Sequence, residues 1–222
     1  MHILKSSVGR KILMSVTGVM LCGFITVHLL GNLSIFFGQD AINSYAHHLH
    51  SLGPLVWIFR LVMLILFAVH VTFGVQLSME NRTASPEAYA IKQREKTTFA
   101  AESMFYTGLI LLVFIVYHLL HFTMHLVHTD ATAAVHTLVN GQADVYTMIK
   151  LSFEKPFVAL VYAGAMVALF FHLSHGLSSW VQTLGWSNGT SQEKIIILGK
   201  LIAVVFLIGY VAIPFSFLFG MK

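Results

Sequence analysis

Five stretches of this chain are each long and apolar enough to cross a lipid bilayer: about 12–37, 55–79, 104–128, 156–181 and 196–219. A hydrocarbon core of about 30 Å needs roughly 20 residues of helix. In lipid the backbone must satisfy its own hydrogen bonds, so only helices and closed barrels can span. None of the five runs alternates with period two, which argues against a barrel. The sequence therefore predicts an all-α integral membrane bundle of five helices, with residues 1–222 forming a single transmembrane domain. Composition agrees: 57% of residues are hydrophobic and only 10% charged, against roughly 25% charged in a soluble domain. So little charge cannot coat a water-facing surface.

The basic residues predict orientation. One side would hold Lys5, Arg10, Lys11, Arg82, Lys92, Arg94, Lys96, Lys194 and Lys200, and the other Arg60, Lys150, Lys155 and Lys222. The N-terminus is expected in the cytoplasm and the C-terminus outside, in a multi-pass protein of the inner (cytoplasmic) membrane. These short basic clusters suit topology signals and not a nucleic-acid patch. The run after Lys11 is too long for a signal peptide, lacks a small-residue cleavage site and contains His28 and Asn32. Ser85-Pro86 marks a break in the loop between the second and third spans, and the third and fourth are joined by the longest outer connection, about 129–155. The single cysteine, Cys22, leaves no internal disulfide and no cysteine-held cluster within this chain.

The chain has 13 histidines, as many as Lys and Arg together. Histidine is costly in a bilayer and marks function there. His28, His70, His118, His121, His125, His172 and His175 lie within or at the edges of the spans, while His2, His47, His48, His50, His128 and His136 read as polar residues of loops and helix ends. The first and third spans run outward and carry His28 and His118/His121 late. The second and fourth run inward and carry His70 and His172/His175 late. Histidine is thus offered twice to the outer half and twice to the inner half. A low-spin haem iron takes two axial nitrogens from opposite faces of its ring, and imidazole suits it. The pattern predicts two b-type haems at two depths, one between the first and third helices and one between the second and fourth. A haem-free transporter is the contrasting reading, but no Asp or Glu lies within the five predicted runs. Each HxxH pair lies on roughly one helix face, so spacing cannot choose between His118 and His121 or between His172 and His175. Glycines at 18, 23, 31, 74, 108, 164 and 176 would allow close approach of backbone to a flat ring or of helix to helix. Arg10, Lys11, Ser15 and Thr17 are candidate propionate partners on the inner side and Arg60 on the outer. Asn32, Ser34, His121 and His125 are candidates for a quinone pocket at the outer edge.

The motifs Ser7–Gly18, Val27-His28-Leu29, the His70 run into Asn81-Arg82, Thr107-Gly108 with His118-Leu119, Phe171–Gly176, Gln182–Gly185 and Ile213-Pro214 carry a resemblance over nearly the whole chain. It resembles the cytochrome b membrane anchor of succinate:quinone oxidoreductases, the single-anchor, two-haem kind found in succinate dehydrogenases and fumarate reductases. The resemblance implies His28 and His118 as ligands of the haem farther from the soluble subunits. It implies His70 and His175 for the nearer haem, with the His-Gly pair favouring His175 over His172. It further implies a flavoprotein subunit, an iron–sulfur subunit docked on the cytoplasmic face and a membrane quinone (menaquinone expected); a dimer of complexes is a further candidate association. The dicarboxylate chemistry would lie in the partner subunits, and no catalytic residue is identified in this chain. Some menaquinol-using relatives carry a glutamate close before the His-Gly pair, where this chain reads Phe170-Phe171-His172-Leu173-Ser174. A haem anchor of a hydrogenase or formate dehydrogenase would share the chemistry and differ in partner.

Overall fold

The structure, a computed structural model, describes residues 6–83 and 99–221. The Ser85-Pro86 break, Lys92, Arg94, Lys96, His2, Lys5 and Lys222 lie outside the described residues. Five helices are long and apolar enough to span a membrane: α1 (Ser7–Leu33), continued by a 3-10 turn to Phe37; α3 (Pro54–Thr83); α5 (Met104–His118), continued by a π-turn to Thr123; α8 (Pro156–Thr183); and α9 (Gln192–Leu218). The chain is an all-α membrane bundle. Large apolar side chains such as Val27, Leu61, Ile65, Val113 and Ile208 are exposed on its flanks. Such a surface is untenable in water and natural in lipid.

α8 is the central helix. It packs against α1, α5 and α9 and buries Val158, Ala159, Ala163, Ala165, Met166 and Ala168 among others. The small alanines let neighbouring helices come close, which is how bundles gain contact where lipid supplies no hydrophobic drive. α3 lies at the periphery, with Leu77 its one buried residue.

The observed helices depart from the expected runs at their ends. α3 reaches Thr83 and includes Glu80, and α9 starts with Gln192-Glu193. Both acids therefore sit at helix ends, near the membrane edges. The third span stops at Thr123, short of the expected 128. Its last turn is π-type, and His125 and His128 follow with φ of 54° and 53°. Left-handed backbone in non-glycine residues ends a helix.

The segments read as loops on the far side from the N-terminus are folded. α2 (Gln39–Ser51), α4 (Phe99–Glu102, on the N-terminal side), α6 (Thr129–Thr132), a 3-10 turn (Ala133–His136), a β-hairpin (β1 Leu138–Val139, β2 Gln142–Ala143) and α7 (Val145–Phe153) complete the described elements. The hairpin turns at Asn140-Gly141, both with positive φ, the pattern of a two-residue type I′ turn. α2, α6, the hairpin and α7 form a cap. Its core of Ile42, Met148, Ile149 and Phe153 runs into Tyr162 of α8 and Phe217 of α9. We call this side of the bundle the cap face and the opposite side the N-terminal face.

Asp144 ties the cap together. Its Oδ1 accepts from Gln39 Nε2 at 2.9 Å, from Asn43 Nδ2 at 3.4 Å and from the Thr147 amide at 3.1 Å, the last capping α7. Burial by itself would raise this carboxyl's pKa, but the bonds from Thr147, Gln39 and Asn43 outweigh it and hold the group below its ordinary value. A depressed folded pKa adds stability above the unfolded value, lost as pH falls through the folded one. The contribution of this carboxylate to the cap is therefore expected to be constant between pH 5 and 8 and to be lost below about pH 4. Asp144→Ala should cost about 2–4 kcal/mol, from the lost N-cap and stranded amides. Proteolysis within residues 129–155 should accelerate in that variant. Unchanged protection would show that the apolar core holds the cap without this network.

Candidate haem-ligand site

The bundle brings two pairs of histidines together. His28 of α1 and His118 of α5 have ring centroids 6.0 Å apart, near the cap face. His70 of α3 and His172 of α8 have centroids 6.3 Å apart, toward the N-terminal face. A metal–imidazole bond of about 2 Å, plus about 1 Å from nitrogen to ring centre, puts two trans ligands roughly 6 Å apart. Both spacings match that figure. Among the described residues no group of three or more His, Cys, Asp or Glu is arranged to hold a bare metal ion. A haem needs only two such groups, because its macrocycle supplies the remaining nitrogens.

Hydrogen bonds choose the free nitrogen. His70 Nδ1 lies 3.1 Å from the Met14 carbonyl and 3.4 Å from Thr17 Oγ1. The Thr17 hydroxyl is itself directed at the carbonyls of Leu13 and Met14. A carbonyl only accepts, so Nδ1 carries the proton and Nε2 keeps its lone pair. His172 repeats this arrangement. Its Nδ1 lies 3.4 Å from Thr107 Oγ1, which is directed at the carbonyls of Ser103 and Met104, and its ring bonds to the Met104 backbone. His118 Nδ1 meets Tyr162 Oη at 3.3 Å. Among the described residues no hydrogen bond engages Nε2 of His70, His118 or His172.

The two histidines that spacing alone left as alternatives lie elsewhere. His121 is fully buried, with Nδ1 3.0 Å from Tyr162 Oη and Nε2 3.1 Å from Ser152 Oγ. Both nitrogens are occupied. His175 is half-buried one turn beyond His172 and makes no ring contact with His70 among the described residues.

The buttress of His70 and His172, the pair deeper from the cap, has a signal in the sequence that the histidine count overlooks. Met14-x-x-Thr17-Gly18 precedes His28, and Met104-x-x-Thr107-Gly108 precedes His118 at the same spacing, with Phe24/Phe114 and Ile25/Ile115 also matching. The second and fourth spans share His70-x-Thr72-x-Gly74 and His172-x-Ser174-x-Gly176. On this internal correspondence His172, not His175, is the counterpart of His70. The bundle is thus two similar helix pairs, α1 with α3 and α5 with α8. In each, the Thr-Gly turn of the first helix backs the histidine of the second.

The remaining candidates fall around these pairs. Arg10 forms a bidentate ion pair with Glu80, and its Nε is buried with no hydrogen-bond partner among the described residues. Ser15 and Thr17 are buried nearby on the same helix, while Lys11 is exposed. Arg60 lies over the Trp57 ring at 4.9 Å. The Asn32 side chain donates to the His28 carbonyl and Ser34 Oγ to the Gly31 carbonyl. His128 and His136 are not isolated loop residues: His128 Nε2 meets Tyr117 Oη at 2.9 Å and its ring lies 4.9 Å from His121, while His136 lies 6.2 Å from His125. Burial, and then the nearby His136, lower the pKa of His125 below its ordinary value.

A family model described as "Succinate dehydrogenase/Fumarate reductase transmembrane subunit" matches residues 78–209 of this chain, a stretch that contains His118 and His172. No curated protein and no solved structure matches the chain.

Proposed function

Because the chain belongs to the family of succinate dehydrogenase/fumarate reductase transmembrane subunits, we propose that it is a dihaem cytochrome b anchor serving the partner subunits that carry the dicarboxylate chemistry. The observation that carries this reading is the pair of imidazole couples at 6.0 and 6.3 Å. In this proposal His28 and His118 hold the haem near the cap face. His70 and His172 hold the one near the N-terminal face, with His172 in place of the expected His175. Bound haem supplies one-electron transfer, so the chain would carry electrons between an iron–sulfur subunit and a membrane quinone, taken as menaquinone.

The protein's own contribution is orientation. The Met14 carbonyl, the Thr107 hydroxyl and the Tyr162 hydroxyl engage Nδ1 of His70, His172 and His118, which leaves the Nε2 of each available to an iron. A histidine whose second nitrogen is held this way is a more basic ligand in a fixed orientation. The Arg10 Nε, buried without a partner among the described residues and beside the Glu80 pair, is a donor suited to a carboxylate of the deeper haem. The excess of basic residues on the N-terminal face supports a cytoplasmic position for it, where the flavoprotein and iron–sulfur subunits would dock, within an inner-membrane complex that would associate as a dimer.

The test is a pyridine haemochrome count on the purified complex, with its subunits identified. About two haems b per chain are expected, together with a flavoprotein and an iron–sulfur protein. A different partner set with two haems would indicate an anchor of another respiratory enzyme. A colourless, folded complex would overturn the haem reading.

A further inference from the structure

The hydrogen bonds around His118 form a chain with only one consistent direction. Ser152 of α7 donates its hydroxyl proton to the Met148 carbonyl at 2.7 Å. A hydroxyl has one proton, so toward His121 Nε2, 3.1 Å away, Ser152 can only accept, and Nε2 carries hydrogen. In a neutral imidazole Nδ1 is then an acceptor. Its partner at 3.0 Å is the Tyr162 hydroxyl, which must donate. Tyr162 has now spent its proton. To His118 Nδ1, at 3.3 Å, it can only accept. His118 Nδ1 therefore carries hydrogen and its Nε2 keeps a lone pair.

Four elements contribute to this chain: α5, the π-turn, α7 of the cap, and α8. Ser152 and His121 are fully buried and Tyr162 is 7% exposed. The two histidines of the deeper couple need no such relay, because backbone groups of Met14 and Met104 hold them.

We propose that Tyr162, His121 and Ser152 are a positioning relay, anchored in the cap, that fixes the tautomer and orientation of His118 and thereby sets the reduction potential of the haem His118 holds. The inference rests on the dihaem reading. An acceptor at Nδ1 makes a ligand imidazole more basic and favours the oxidised iron. Removing that acceptor should move the potential upward.

The experiment is a redox titration of the purified complex, resolved into its two haem components, with haem counted in each sample. Tyr162→Phe keeps the ring that packs 5.0 Å from Phe114 and from Phe153 and removes only the hydroxyl. It should retain both haems, with one component shifted upward and the other unmoved. Ser152→Ala acts two links away and should shift the same component in the same direction by less. His121→Leu leaves the Tyr162 hydroxyl in place but removes the acceptor that orients it, so it should shift the same component upward by less than Tyr162→Phe and by more than Ser152→Ala, and His121→Gln, which can accept and donate, should restore much of the original potential. Tyr117→Phe, whose hydroxyl faces His128, should leave both components in place. Two haems with unmoved potentials in Tyr162→Phe, or in Ser152→Ala and His121→Leu should the first not fold, would overturn the relay and leave the dihaem reading intact. A wild-type complex without haem would overturn both.

Discussion

Replacing His172 with alanine should lower the haem content from about two per chain to about one, while His175→Ala should leave it near two. The prediction separates residues three apart on one helix. The His172 ring centroid lies 6.3 Å from that of His70, with Nδ1 at Thr107 Oγ1 and the ring bonded to the Met104 backbone. His175 is half-buried and makes no ring contact with another histidine among the described residues. Without the imidazole of His172 the deeper iron would keep only one protein ligand. His28→Ala, His70→Ala and His118→Ala should each remove one haem in the same way. His121→Ala should remove none directly, because both its nitrogens are engaged by Tyr162 and Ser152. Loss of haem from His175→Ala with retention in His172→Ala would return the assignment to His175 and break the internal correspondence of the two helix pairs.

Gly18→Val should also cost one haem, without touching a ligand. A Cβ at Gly18 would sit 3.1 Å from His70 Cε1 and 3.4 Å from its Nδ1. With alanine there, the imidazole must retreat by a few tenths of an ångström. Alanine also gains up to about 1 kcal/mol of helix propensity over glycine, so Gly18→Ala should fold and keep both haems, with a perturbed spectrum for one. Valine adds two methyl groups against a ring pinned to the Met14 carbonyl. Overpacking of this kind costs about 1–3 kcal/mol, and the cheapest relief is to swing His70 away from His172. The matching position on α5 is more forgiving: a Cβ at Gly108 would meet His172 Cε1 at 3.5 Å, an ordinary contact. Gly108→Ala should therefore be silent in both haem count and spectrum. Unchanged haem content and spectrum in Gly18→Val would show that His70 has room the structure does not reveal.

The five spans, their helical character and the absence of a barrel were legible in the sequence, because length and hydropathy are local properties and lipid permits few backbone solutions. So was the presence of histidine at two depths on four helices. The repeat of Met-x-x-Thr-Gly before His28 and before His118 was equally local, though its two copies stand in different spans. Which histidine of each HxxH pair faces a partner was not legible. Three residues of spacing keep both on nearly one face, and only the packing of α3 against α1 and of α5 against α8 singles out His172 and His118. The folded cap was hidden too. Its elements are short and polar at their ends, and they are held by contacts such as Asp144 with Gln39 that join residues far apart in sequence. The relay from Ser152 through His121 and Tyr162 to His118 exists only where four separate elements meet, so no pattern along the chain could have announced it.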